Sequence, residues 1–185
     1  MSESSKVVNG IDTAAVRAMI GAIEKDPAEA LATFSATTKW QGATKSVAEI
    51  TRWSLGKVSH EKSFKIVIDE PRELLGTDSA PNPQEFLLAA LNACMTVGYV
   101  AAAAMAGVQL TKLEIATTGE LDLRGFLGLD KSVKPGYDEL SYVVTMAGNG
   151  TREQFSEIHE TVVRTSPNRW NLANPITMRA KLIVE

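Results

Sequence analysis

The sequence predicts an α+β fold, with long helices packed against curved antiparallel sheets. Three observations carry this expectation. Short runs alternate apolar and polar residues, the period-two pattern of half-buried strands. Those runs come in consecutive groups, not in strict β-α-β alternation. One helix-length stretch, Phe86 to Thr111, holds 26 residues without a charge.

The expected order is α, β-β-β, α, β-β, α, β. The first ten residues are polar and expected to fray. Asp12 is placed to cap a helix whose Ala15, Val16, Met19, Ile20 and Ile23 share one face. Lys25, Asp26 and Pro27 end it. Strand-like runs follow at Leu31–Trp40, Ser46–Ser54 and Ser63–Asp69, with Gln41–Gly42 as a turn. A loop from Glu70 to Pro81 leads to the long helix. Asn82 is a good N-cap, Pro83 suits the first helical position, and Glu85 stands where a capping box wants a carboxylate. Gly107 is a natural stop. Leu113, Ile115, Leu121 and Leu123 then alternate with Lys112, Glu114, Glu120 and Asp122. A second alternating run covers Leu140, Tyr142, Val144 and Met146. The linking segment from Arg124 to Asp138 is rich in Gly and Pro. Thr151 with Gln154 forms another capping box, opening a helix that presents Phe155, Ile158, Val162 and Val163. Pro167 ends it, and a last strand runs from Ile176 to Val184.

Composition narrows the function. Of 185 residues, 44% are hydrophobic and 22% charged, with a net charge of −3. That suits a soluble domain with a real core. The absence of basic stretches argues against nucleic acid as a partner. No apolar stretch follows a basic start, so no signal peptide is expected and the cytoplasm is the expected compartment. The uncharged segment is long enough to span a bilayer. Its eight alanines between Ala89 and Ala106, its polar Asn92 and Thr96, and its lack of flanking basic clusters favour a helix buried in a soluble core.

The rarest residues are the most informative. Cys94 is the only cysteine, and His60 and His159 are the only histidines. An intrachain disulfide, a CxxC motif and a Cys/His structural zinc site are therefore excluded. Cys94 lies twelve residues into the long helix, counting from Pro83. Its helical neighbours Ala90, Leu91, Val97 and Gly98 are apolar or small. Such surroundings suit an inert packing cysteine. A reactive one needs a cation or hydrogen-bond donor from elsewhere, because the helix dipole fades within the first turn. His159 reads as a helix-surface or core-edge residue, and His60 as an exposed turn residue. Trp40, Trp53 and Trp170 read as core or interface anchors. Gly148–Gly150 is a turn, not a phosphate loop.

The run GTDSAPNPQEFLLAALNAC, Gly76 to Cys94, resembles the signature of the OsmC/Ohr family of peroxide-handling proteins. There a Gly-rich loop and an Asn/Ser-Pro-Glu element precede a long apolar helix with the peroxidatic cysteine. The likeness covers roughly Thr33 to Glu185, so residues 1–30 form an N-terminal extension with one helix and 31–185 an OsmC-like domain. The resemblance implies an intertwined homodimer with two long central helices inside wrapped sheets. It implies thiol-dependent reduction of organic hydroperoxides in oxidative or osmotic stress, with no cofactor or metal and an external thiol as reductant. Cys94 would be the nucleophile.

The sequence departs from that pattern at three positions. The family's second cysteine precedes a proline, and here the pair is Ser166–Pro167. The family's active-site arginine would fall near Gln41 to Lys45, where none stands. Lys45 and Arg52 are the local cations. The glutamate that orients that arginine would stand ten residues before the cysteine, at Gln84, with Glu85 beside it. A peroxidase built on this chain would use one cysteine, with Lys45 or Arg52 as thiolate stabiliser, Gln84 and Glu85 supporting it, and Ser166 donating to the sulfur. The alternative is a non-catalytic protein of this fold that binds a small apolar molecule at the dimer interface.

Overall fold

The computed structural model describes residues 7–185, so the first six residues of the expected frayed end lie outside the described ones. Residues 7–12 correct that expectation. Val7–Val8 (β1) and Ile11–Asp12 (β2) pair as a small antiparallel hairpin. Asn9 and Gly10 turn the chain there at positive φ. The chain divides into two compact units, residues up to 89 and residues 90–185.

In the first unit, helix α1 (Thr13–Lys25) starts as its cap predicts. Asp12 accepts backbone N–H groups from Ala14 at 2.9 Å and Ala15 at 3.3 Å. The sheet is organised on β5 (Ser46–Leu55), which pairs along one edge with β6 (Val58–Ile68). Its other edge carries two short strands, β3 (Ala32–Phe34) and β4 (Thr37–Trp40). The single strand expected over Leu31–Trp40 is thus broken at Ser35–Ala36. The β5–β6 register shifts between Ile50 and Arg52, and such an irregularity bends a strand. β3 pairs with β5 beyond that point and β4 before it. His60 is also corrected: it lies within β6, not in a turn, and its ring stacks on Trp53 at 4.6 Å. Trp40 and Trp170 are exposed, so neither anchors the core of this chain.

The loop after β6 is organised around one carboxylate. Asp69 is 1% exposed. It accepts hydroxyl bonds from Thr44 at 2.8 Å, Thr77 at 2.5 Å and Ser79 at 2.9 Å. It also accepts the backbone N–H groups of Thr77 at 3.1 Å and Ser79 at 3.2 Å. This clamp folds residues 70–81 back onto the end of β6. Gly76 completes it, because a Cβ there would fall 1.7 Å from the Glu70 carbonyl oxygen.

Helix α2 (Pro83–Met105) begins in the first unit, and the second is built on its part from Ala90 onward. Asn82 and Glu85 form the expected reciprocal box, each side chain 2.8 Å from the other's backbone nitrogen. Gly107 closes the helix at φ 70°, donating to Ala104. β7 (Leu110–Gly119) and β8 (Leu140–Gly148) form a two-stranded antiparallel sheet. The β7 strand stops at Gly119, short of the expected Leu121 and Leu123. Asp122 instead caps a helical turn, α3 (Leu123–Phe126), accepting the Arg124 N–H at 2.9 Å. α4 (Arg152–Thr165) begins with the expected Thr151–Gln154 box. Pro167 does follow its end, but it also opens α5 (Pro167–Ala173), since proline suits a first helical position. The last strand expected at Ile176–Val184 is absent, because no strand among the described residues pairs with it. Its apolar side chains stand exposed, Met178 at 92% and Leu182 at 85%.

The core of this unit is one cluster. Leu91, Met95, Tyr99 and Ala103 recur every four residues along α2. They meet Ile158 and Val162 of α4, Val108, and the inward residues of β7 and β8.

The Asp69 clamp makes a prediction. Its hydrogen bonds, Thr77 foremost, hold the carboxyl well below the usual carboxylate range. A depressed native pKa adds stability that is complete above the unfolded value and lost as pH falls below it. Thermal melts of the full chain should therefore weaken progressively below about pH 4. Asp69→Asn should lower Tm at pH 7 by roughly 5 °C and flatten that acid limb. An unchanged acid limb in the variant would remove Asp69 from this role.

Candidate functional site

Cys94 is reached by building outward from α2. Met95, beside it, is fully buried in the stripe, and Cys94 itself is half-buried. The helix turns by about 100° per residue, so the sulfur stands at the margin of the core, not in its centre.

Two polar contacts fix the helix on either side. Asn92 donates from Nδ2 to the Ile115 carbonyl at 3.2 Å and accepts the Thr117 hydroxyl at 2.5 Å, which ties α2 to β7. Asn168 donates to the Ala90 carbonyl at 2.9 Å, which ties α5 to α2. Gly98 permits the approach of α4, since a Cβ there would sit 3.3 Å from both methyls of Val162.

Ser166 closes α4 by donating its N–H to the Val162 carbonyl at 2.9 Å, and its own carbonyl accepts from Trp170 as α5 begins. At this junction the serine is buried, 4% exposed, with its hydroxyl 3.6 Å from Cys94 Sγ. The hydroxyl donates to the sulfur. It can support negative charge there, and it cannot form a disulfide.

The other residues singled out from the sequence fall in the first unit. Lys45 is half-buried in the turn that joins β4 to β5, its backbone N–H bonded to Gly42. Arg52 is exposed on β5 and pairs in register with Glu61. Gln84 is exposed in the first turn of α2, and Glu85 is engaged in the capping box. Of the candidate set, the structure brings Cys94 and Ser166 into contact. Among the described residues no cluster of His, Cys, Asp and Glu is arranged to hold a metal.

Sequence reading missed a second polar group in this unit. The Tyr99 hydroxyl lies 2.7 Å from His159 Nδ1, with the rings stacked at 6.0 Å. Burial pushes the Tyr99 phenol up to about 12; neighbouring Tyr142 adds to the shift and Arg169 opposes it. Arg169 donates from Nε to the Tyr142 hydroxyl at 3.0 Å and from Nη1 to the Val163 carbonyl at 2.9 Å. The only signal in the sequence was a polar residue amid apolar spacing, Tyr99 in an uncharged helix. Nothing local announces that Arg169 reaches a strand 27 residues earlier.

Comparison with known proteins follows this geometry. No curated protein sequence matches the chain. Solved structures do match its fold. An OsmC-like protein from Mycoplasma pneumoniae superposes with TM-score 0.58 at 16% identity, over 76% of this chain and 87% of that one. An osmotic-stress-induced and detoxification response protein from Psychrobacter arcticus gives 0.55 at 14%, over 74% and 86%. An OsmC-like protein of unknown function from Vibrio cholerae gives 0.51 at 16%, over 74% and 91%. The profile described as OsmC-like protein matches residues 76–181, more than half of the chain, from the Gly76 loop through the helix that carries Cys94 and the α4–α5 junction at Ser166. The chain belongs to the OsmC-like protein family.

Proposed function

We propose that this protein is a cytoplasmic hydroperoxide reductase that works with a single cysteine. The observation that carries the reading is the Ser166 hydroxyl, buried and 3.6 Å from the half-buried Cys94 sulfur. The hydroxyl is placed to hydrogen-bond the sulfur as charge develops there during reaction. The thiolate attacks the O–O bond of an organic hydroperoxide. A sulfenic acid forms on Cys94 and the alkoxide leaves as an alcohol. No second cysteine follows, so an external thiol reduces the sulfenic acid. Lys45 or Arg52 would act as thiolate stabiliser, with Gln84 and Glu85 behind it. Residues 1–30 are an extension ahead of an OsmC-like domain over 31–185.

The working unit is a homodimer. Two features of the single chain support this. On the apolar face of α2 away from the buried stripe, Ala93 and Val97 stand exposed, Val97 at 70%. The segment Ile176–Val184 keeps a strand's alternation yet pairs with nothing among the described residues. A second copy supplies both a cover and a strand partner. α2 is then the core helix of a soluble domain, although its length and hydropathy would let it cross a membrane.

Three outcomes are expected. Treatment with substoichiometric cumene hydroperoxide should give a dimedone adduct on Cys94 by mass spectrometry, and Cys94→Ser should abolish peroxide consumption. A wild-type protein that yields no adduct overturns the peroxidase reading and leaves a ligand-binding role. Ser166→Ala should slow adduct formation by about tenfold, the worth of one hydrogen bond, while Ser166→Cys should form a disulfide with Cys94 on oxidation. Sedimentation at micromolar concentration should show a dimer, and removal of residues 175–185 should shift it to monomer or aggregate. A stable wild-type monomer would refute the assembly.

A further inference from the structure

One cavity in the second unit has no role in the chemistry above. It measures about 360 Å³, within the range of small-molecule sites. Leu91 of α2 and Leu172 of α5 give it apolar wall, and Tyr142, Arg169, Asp138 and Glu139 give it polar groups of both signs.

Those charges are unequally engaged. Arg169 bonds two neutral acceptors, the Tyr142 hydroxyl and the Val163 carbonyl. Among the described residues no carboxylate pairs with its guanidinium. Asp138 is taken by Lys134. Glu139 accepts only the Ser141 hydroxyl, at 3.2 Å, and no cation pairs with it among the described residues. The cavity therefore offers one guanidinium and one carboxylate that lack counter-charges. A ligand carrying a carboxylate and an ammonium satisfies both, whereas a purely apolar or purely anionic one leaves a charge unmatched.

Neither Cys94 nor Ser166 lines the cavity, but two elements that line it also carry the chain to them. Leu91 stands one helical turn before Cys94 on α2. Ser166, which touches Cys94, opens the short helix that carries Arg169 and Leu172. Arg169 stands three residues after Ser166, so an extended molecule anchored at its guanidinium has a short path toward the sulfur.

We propose that this cavity binds a small zwitterionic thiol, an amino acid or short peptide, as the reductant of oxidised Cys94. The proposal rests on the peroxidase reading. The bound thiol attacks the sulfenic sulfur, so that an S–S bond forms and the S–O bond breaks. The departing hydroxide takes up the thiol proton and leaves as water. The ligand sulfur is oxidised and the Cys94 sulfur reduced, giving a mixed disulfide. A second molecule of the same thiol attacks it, releasing the ligand's own disulfide and restoring the Cys94 thiol. Ser166 in place of a second cysteine makes this external attack the only route back.

The test uses the full chain oxidised with one equivalent of cumene hydroperoxide, with the sulfenic acid quantified by dimedone. Mixed-disulfide formation is then followed by intact mass spectrometry with glutathione and with 2-mercaptoethanol, at equal thiolate concentration. Glutathione should react about tenfold faster and its rate should saturate. Arg169→Gln should bring the two rates together. Glu139→Gln, which leaves the Arg169 bonds in place, should narrow the difference as well. Equal rates in the wild type, linear in both thiols, overturn the proposal. A missing dimedone adduct overturns the peroxidase reading and the reductant role with it. Calorimetry with S-methylglutathione on the reduced protein tests the cavity separately. Saturable heat that is lost in Arg169→Gln supports it, and no heat in the wild type refutes it.

Discussion

The second unit depends on burying one stripe of α2. Leu91, Met95, Tyr99 and Ala103 repeat every four residues, and the β7–β8 sheet and α4 close over them. At about 25 cal/mol per Å² of apolar surface, each large side chain in that stripe stabilises the fold by roughly 1.5–3 kcal/mol. The site is a by-product of this packing. Val162 is buried against Gly98, and the last turn of α4 carries the chain four residues on to Ser166. The contact that buries Val162 therefore also delivers a hydroxyl to the neighbouring turn of α2, where Cys94 stands.

Apolar packing alone does not set the rotation of α2. A helix with so many alanines presents similar surfaces on several sides, so sliding or turning changes little apolar area. The polar contacts remove that freedom. Asn92 on α2 donates to the Ile115 carbonyl of β7, and Asn168 on α5 donates to the Ala90 carbonyl of α2, so each part-buried amide finds its acceptor in one register of the helix. An unmade bond of that kind costs about 1–3 kcal/mol, so the register that makes both is preferred over its neighbours. Cys94 lies between residues 90 and 92 on one side and Gly98 on the other, and its orientation follows from theirs.

What the sequence showed in advance was local. The Asn82–Glu85 and Thr151–Gln154 boxes, the Gly107 stop and the alternation of β8 each need a handful of adjacent residues to decide them, and each formed as read, while β7 stopped short of its expected Leu121 and Leu123. What it concealed was decided by distant partners. The break at Ser35–Ala36 follows from the irregularity in β5, fifteen residues later. Pro167 is compatible with ending one helix or starting the next, and it does both. Ile176–Val184 has a strand's pattern but no ladder, since alternation shows what a segment can pair with and not whether a partner is present in the same chain. The Arg169–Tyr142 bond was invisible for the same reason.

The Cys94–Ser166 pair can be weighed by what each residue would do without the other. Ser166 is buried, and its hydroxyl donates to the sulfur. Removing the sulfur would leave a buried donor unsatisfied, at a cost of about 1–3 kcal/mol. A weakly accepting thiol returns little of that, whereas a thiolate returns more, since charged acceptors roughly double the strength of a hydrogen bond. The serine thus gives the sulfur a hydrogen-bond donor and no covalent partner. Serine at this junction therefore separates the two tasks that a pair of cysteines would combine. In the proposed reaction the electrons would then have to come from a thiol that reaches the half-buried sulfur from outside.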